Sequence, residues 1–202
     1  AYQLLAGRLP FIAGPHLNIY NADTLRLFAQ WGAARWVMPL EMKRSDLALM
    51  QASRPDGIAT EVFAYGRMPL AFSARCFTAR HLDLPKDDCR FSCLQHPDGL
   101  TLRTRENEDF LVLNGIQTQS ARVYNLLGAV ADMASLGVDV LRISPQGAHT
   151  SDVVAAFDIA RRGEPVNPDC LSSLMPAAGC NGYWHGQPGL DYRSVNATVP
   201  TV

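Results

Sequence analysis

The sequence is short of several things, and each shortage removes a class of function. No apolar run approaches the roughly 18–20 residues that a membrane-spanning helix needs, so membrane insertion is not expected. No charged n-region followed by an apolar h-region marks a secretory leader. Neither sign of charge dominates. Eighteen Lys and Arg face 19 Asp and Glu, giving a formal net charge of -1, and no basic stripe is present. A broad electrostatic footprint on nucleic acid or on an anionic membrane is therefore not expected. No Gly-rich phosphate loop follows an extended run, which removes the dinucleotide and P-loop fingerprints. Neither a G-x-S-x-G elbow nor an HExxH helix is present, and two common hydrolase signatures go with them. Five cysteines, an odd number in a chain of ordinary size, make a poor disulfide framework and point to a reducing, cytoplasmic compartment.

What is present is ordinary globular material. With 202 residues, 48% of them hydrophobic, the chain can bury one sizeable core, and residues 1–202 read as a single domain. Tyr2-Gln3-Leu4-Leu5 reads like the tail of an element already under way, so an N-terminal part of the natural protein is expected to be missing. Leu9 to Gly14 reads as a short buried strand ended by Gly14-Pro15. A helix follows, capped by Asn21 or Asp23, with Leu25, Phe28 and Trp31 at helical spacing. Arg35 to Met38 is the next strand, Glu41 to Ala52 a second helix, and Ile58 to Ala64 a third strand. Leu100–Arg103 and Phe110–Leu113 flank a polar turn and predict a small antiparallel hairpin. Val123, Leu126, Leu127, Val130 and Met133 share one stripe, which predicts a helix over 120–136. Val138 to Ile143 then reads as a strand, and Thr150 or Ser151 starts a last helix to about Arg162. Residues 163–202 read as an irregular tail rich in Pro and Gly.

Strands alternating with helices imply parallel strands and crossovers, the α/β class. A (β/α) TIM-type barrel or partial barrel fits, with a cysteine-bearing loop and a small β-hairpin insertion. In barrels the chemistry collects at the C-terminal ends of the strands, where the segment after Ile58–Ala64 begins.

That segment carries Cys76, Cys89 and Cys93 in a frame of Arg75, Arg80, His81, Lys86, Asp87, Asp88 and Arg90. So polar a frame argues against thiols that merely pack as small hydrophobes. Cys89 and Cys93 are four apart, so a helical turn would project both sulfurs from one face toward a shared metal ion or cluster. The spacing matches no common zinc finger, and a [4Fe–4S] cluster wants four ligands where three lie together. Cys170 and Cys180 read as plain tail cysteines, and His81, His96 and His185 as surface or hydrogen-bonded histidines. His16, just past a strand end, can face a barrel mouth; Tyr183 and Trp184 can line a pocket for an aromatic ring. Glu61 is read as a strand-end carboxylate paired with Arg67 or Arg75, or as a group of the site.

The run from Glu61 to Cys76, E-V-F-A-Y-G-R-M-P-L-A-F-S-A-R-C, resembles the signature of the collagenase-like peptidase family, E-x-F-x-H-G-A-x-C-x-x-x-S-G-x-C. Glu61, Phe63, Gly66, Ser73 and Cys76 match; Tyr65, Pro69 and Ala74 depart from it. The departures, the C-x12-C-x3-C spacing and the run Gly182-Tyr183-Trp184-His185-Gly186 are similar to the ubiquinone-biosynthesis branch of that family. The resemblance implies a TIM-type barrel and a [4Fe–4S] cluster held by Cys76, Cys89 and Cys93, with a fourth cysteine outside this chain. It implies hydroxylation of the aromatic ring of ubiquinone precursors without molecular oxygen, as a heterodimer with the paralogue UbiU. A lipid-binding partner, UbiT, and prephenate as oxygen donor are implied with it. A hydrolase, an RNA-modifying hydroxylase of the same family, and a non-catalytic cluster-bearing subunit remain as alternatives.

Overall fold

A computed structural model describes residues 8–85 and 87–194. Tyr2 to Leu5, Lys86 and the end of the tail, all invoked above, lie outside them. Strand β1 (Phe11–Ala13) runs into a 3-10 turn at Pro15–Leu17, with Asn18 left-handed at φ 54°. Helix α1 (Ala22–Gln30) opens on Asn21, whose side chain accepts a hydrogen bond from the Thr24 N–H at 2.8 Å, satisfying an amide that has no partner inside the helix. Strand β2 (Ala33–Val37), helix α2 (Arg44–Ala52) and strand β3 (Ala59–Phe72) follow. After a short helix α3 (Phe77–His81) come β4 (Leu100–Arg103), β5 (Asp109–Asn114) and β6 (Gln117–Asn125). Helix α4 (Val130–Ser135), β7 (Val140–Ile143), α5 (Thr150–Arg161) and the two-residue β8 (Gly179–Cys180) complete the order.

The chain is α/β, but its eight described strands make one open, mixed sheet, not a closed ring. Strand β3 is its hub. The N-terminal half of β3 pairs in parallel with β2 and with β7, and β2 pairs in parallel with β1. Each parallel step passes through a helix, as parallel pairing requires. The C-terminal half of β3 leaves this arc and pairs antiparallel with β6, which continues through β5 to β4.

Two readings of the sequence change here. The third strand does not stop at Ala64 but runs on to Phe72. The helix predicted over 120–136 is half strand: Gln117–Asn125 is β6, a 3-10 turn spans Leu127–Ala129, and only Val130–Ser135 is α-helix. All five stripe residues are buried as expected. The extended β3 pairs along residues 117–125 and the hairpin strand β5 along 117–120, and this pairing draws Val123, the first residue of the stripe, into a strand.

Gln51 and Arg54, at the end of α2, are tied to the entry of β7. Gln51 Nε2 donates to the carbonyls of Leu136 (2.9 Å) and Gly137 (2.7 Å). Arg54 donates to Asp139 Oδ2 at 2.5 Å, and that oxygen also accepts the Thr60 N–H at 2.7 Å. Thr60 Oγ1, fully buried, donates to Gln51 Oε1 at 2.7 Å. Thr60 therefore faces α2, and its neighbour Glu61 faces the other side of the sheet. Burial opposes charge on Asp139, yet the Thr60 N–H and Arg54 outweigh it and hold the carboxyl below its ordinary value. A carboxyl lowered on folding stabilises above about pH 4, and that stability is lost as pH falls through its folded value. Asp139→Asn is expected to flatten this acid limb, read as the urea midpoint measured from pH 6 down to pH 2.

Candidate functional site

Parallel strands bring their C-terminal ends to one side of the sheet. The turn after β1, the segment after β2 and the start of the β3 extension there enclose a cavity of about 360 Å³. Its apolar walls include Pro15, Pro39 and Pro69, and Tyr183 closes it from the tail. Its polar lining groups are His16, Asn18 and Glu41. The Tyr20 hydroxyl donates to Glu41. That bond to a carboxylate, helped by burial and the negative charge, pushes the Tyr20 phenol up to about 12. The His16 ring meets Phe72 edge-on, with centroids 5.3 Å apart at 89°. Flat walls with a carboxylate and an imidazole at the rim suit a planar ring bearing a polar substituent.

Tyr183 is positioned by two glycines. A Cβ at Gly189 would lie 2.4 Å from Tyr183 Cζ, and one at Gly182 would lie 1.9 Å from the Pro188 carbonyl oxygen. Trp184, 2% exposed, anchors the same turn in the core. His16 and Tyr183, far apart in sequence, thus line one cavity; Trp184 does not line it.

Lower in the sheet, Glu61 is clamped by two arginines. Arg35 NH1 donates to Oε2 at 3.0 Å and Arg142 Nε to Oε1. The expected partners Arg67 and Arg75 lie six and fourteen residues further along the chain and are engaged elsewhere, while Arg35 and Arg142 reach Glu61 from the neighbouring strands β2 and β7. Arg67 donates to the carbonyls of Ser120 (3.0 Å) and Ala121, while Arg75 donates to the Leu84 carbonyl at 3.2 Å. Burial pulls the Arg67 guanidinium below its ordinary value, against the charges of Asp98 and Asp109. Tyr65, at the family-signature His position, donates to Gln146 Oε1 at 2.7 Å, and burial pushes its phenol up to about 12.

The cysteine segment is pinned at both ends. Near its start, Ser73 N–H donates to the Ile116 carbonyl (2.8 Å) and Phe77 N–H to that of Gly115 (2.7 Å). At its far end Asp98 Oδ1 accepts the Gly147 N–H at 2.7 Å, beside the end of β7. Cys76 sits at the N-cap of α3, Cys89 in a turn and Cys93 in a 3-10 turn at Ser92–Gln95. No helical turn joins Cys89 to Cys93, because Arg90 and Phe91 between them are left-handed at φ 50° and 51°. All three thiols are free and half-buried. Among the described residues no three His, Cys, Asp or Glu side chains gather as a metal-ligand set. The thiols share a tethered segment, but they do not form a finished cage. Cys170 is exposed; Cys180 is buried, its thiol pushed up to about 12 by that burial.

Sequence reasoning missed Arg35, Arg142, Glu41 and Tyr20. The first two carried a signal: each is a lone charge inside an otherwise apolar strand, A-A-R-W-V and V-L-R-I.

Parallel βα units with a cysteine-bearing insertion after the third strand define the architecture around this mouth. Residues 3–162 match Peptidase family U32, and the chain belongs to that family, the collagenase-like group indicated by the Glu61–Cys76 run. It is 27% identical over 151 residues to tRNA hydroxylation protein P of Helicobacter pylori in two strains, J99 and 26695. Each match covers 69% of this chain and 35% of the relative, so the chain spans about a third of those proteins. No solved structure matches it. Among the described residues no helix is long and apolar enough to cross a membrane.

Proposed function

We propose that the chain belongs to a UbiV-type protein, an iron–sulfur subunit in the oxygen-independent hydroxylation of the aromatic ring of ubiquinone precursors. The observation that carries this reading is the run Glu61–Cys76, with Cys89 and Cys93 following on one tethered segment that starts beside the mouth cavity, where Phe72 touches His16. In this reading the proline walls and Tyr183 hold the ring flat, and Glu41, His16 and Asn18 orient its polar substituent. UbiU is the partner subunit, UbiT a lipid-carrying associate and prephenate the oxygen donor. The cluster is a [4Fe–4S] centre on Cys76, Cys89 and Cys93 with a fourth ligand from elsewhere. It requires the 76–93 segment to draw its thiols together.

A second reading, hydroxylation of tRNA, is favoured by the name of the Helicobacter pylori relatives. The formal net charge of -1 counts against it, since phosphate backbones are gripped by basic surfaces.

Anaerobic purification of the full-length protein with its partner is expected to give about four iron and four sulfide per cluster-bearing chain. Cys76→Ala, Cys89→Ala and Cys93→Ala are each expected to lower both counts and to abolish anaerobic ubiquinone formation in cells lacking the native gene. Unchanged iron in all three variants would remove these cysteines as its ligands, and iron absent from the unaltered protein would remove the cluster. Hydroxylated tRNA restored without ubiquinone would select the second reading.

A further inference from the structure

Glu61 is 2% exposed, and both of its carboxylate oxygens are occupied, one by each arginine. One guanidinium would neutralise it; here there are two, leaving one positive charge in excess. The arginines are not buried with it. The Arg35 and Arg142 side chains are 36% and 46% exposed, on the face of the sheet opposite α2. Each guanidinium carries five N–H donors in a planar fork. Each spends one on Glu61, and the rest have no partner among the described residues. A structural ion pair would need neither the second cation nor the outward donors.

We propose that the Arg35–Glu61–Arg142 triad is a binding seat for a small-molecule oxyanion, a carboxylate or phosphate group laid across the two guanidiniums from the open side. Glu61 is the positioning residue. It holds both forks in place before the ligand arrives, so little side-chain entropy is lost on binding. The excess charge supplies the attraction, and planar forks match planar or tetrahedral oxyanions with paired N–H···O bonds. The seat is independent of the cysteine segment and of the hydroxylation reading, so either can fail alone.

The test is calorimetric titration of the full-length protein at low ionic strength with benzoate and, separately, with inorganic phosphate. At least one is expected to bind in 1:1 ratio, and the tighter of the two names the chemistry. Arg142→Gln is expected to weaken that binding about tenfold or more, and Arg142→Lys, which keeps the charge but not the fork, by less. Arg35→Gln, which removes the other fork, is expected to weaken binding by a similar factor, because the ligand lies across both guanidiniums. Circular dichroism accompanies each variant, and Arg142→Lys, the mildest change, decides if a Gln variant does not fold. Failure of both anions to bind, or binding that ignores Arg35 or Arg142, would overturn the seat.

Discussion

Gly182→Ala is expected to destabilise the full-length protein by about 3 kcal/mol and to open the mouth cavity at the same time. The added Cβ would lie 1.9 Å from the Pro188 oxygen, 2.9 Å from its carbonyl carbon and 3.3 Å from Asp191 Cβ. Two of those three atoms are backbone, so no side-chain rotation relieves the overlap. The loop cannot open freely either. The Asp191 N–H donates to that same Pro188 oxygen at 2.9 Å, Asn181 N–H to the Asp191 carbonyl at 2.9 Å and Gln187 N–H to the Gly182 carbonyl at 2.9 Å. Making room means breaking one or more of these closures, and each lost bond leaves groups near the core short of a partner. Tyr183 and Trp184 ride on this turn. The measurements are the urea midpoint and the tryptophan emission maximum, which should shift to the red as Trp184 meets water. A stability loss under about 1 kcal/mol with unchanged emission would mean that the turn yields easily and that Tyr183 is not held where the cavity needs it.

The parts of this fold legible in the sequence are those set by local pattern. Gly14, Gly32 and Gly137 mark ends of elements, Asn21 caps a helix, and two apolar runs around a polar turn make the β4–β5 hairpin. What could not be read is set by partners distant in sequence. Val123 opens an apolar stripe at helical spacing that continues to Met133, yet β3 claims residues 117–125 as strand and β5 claims 117–120. Glu61 was legible as a special carboxylate from its place in an apolar strand. Its partners come from β2 and β7, 26 and 81 residues away, and only sheet register identifies them. The cysteines show the same limit. Their spacing argues for a shared centre, whereas the backbone between Cys89 and Cys93 turns left-handed twice and denies them a common helical face. The mouth cavity needed the third dimension outright: His16 and Tyr183 were noticed separately, and Glu41 with Tyr20 not at all.

Gly66→Ala is expected to cost more than any other single methyl in the parallel half of the sheet, about 3–5 kcal/mol. Two penalties add. The residue has φ 121°, a conformation L residues adopt only under strain of order 1–3 kcal/mol. A Cβ there would also lie 2.5 Å from Ser144 Cβ, 3.1 Å from Ser144 O and 3.3 Å from its Cα, an overpacking of similar size. Ser144 cannot back away cheaply, because its N–H donates to the Tyr65 carbonyl at 2.8 Å and so continues the β3–β7 pairing at the mouth. The backbone contact between Gly66 and Ser144 sets how closely the family-signature strand approaches the β7 loop, and Tyr65 with Gln146 reads out that spacing. The two penalties can be separated by a double-mutant cycle. Ser144→Gly removes the Cβ contact and leaves the dihedral strain, so Gly66→Ala should cost about 1–3 kcal/mol less in that background. Equal costs in both backgrounds would assign the whole effect to strain, and a cost near zero in either would show that β3 and the β7 loop need not approach this closely.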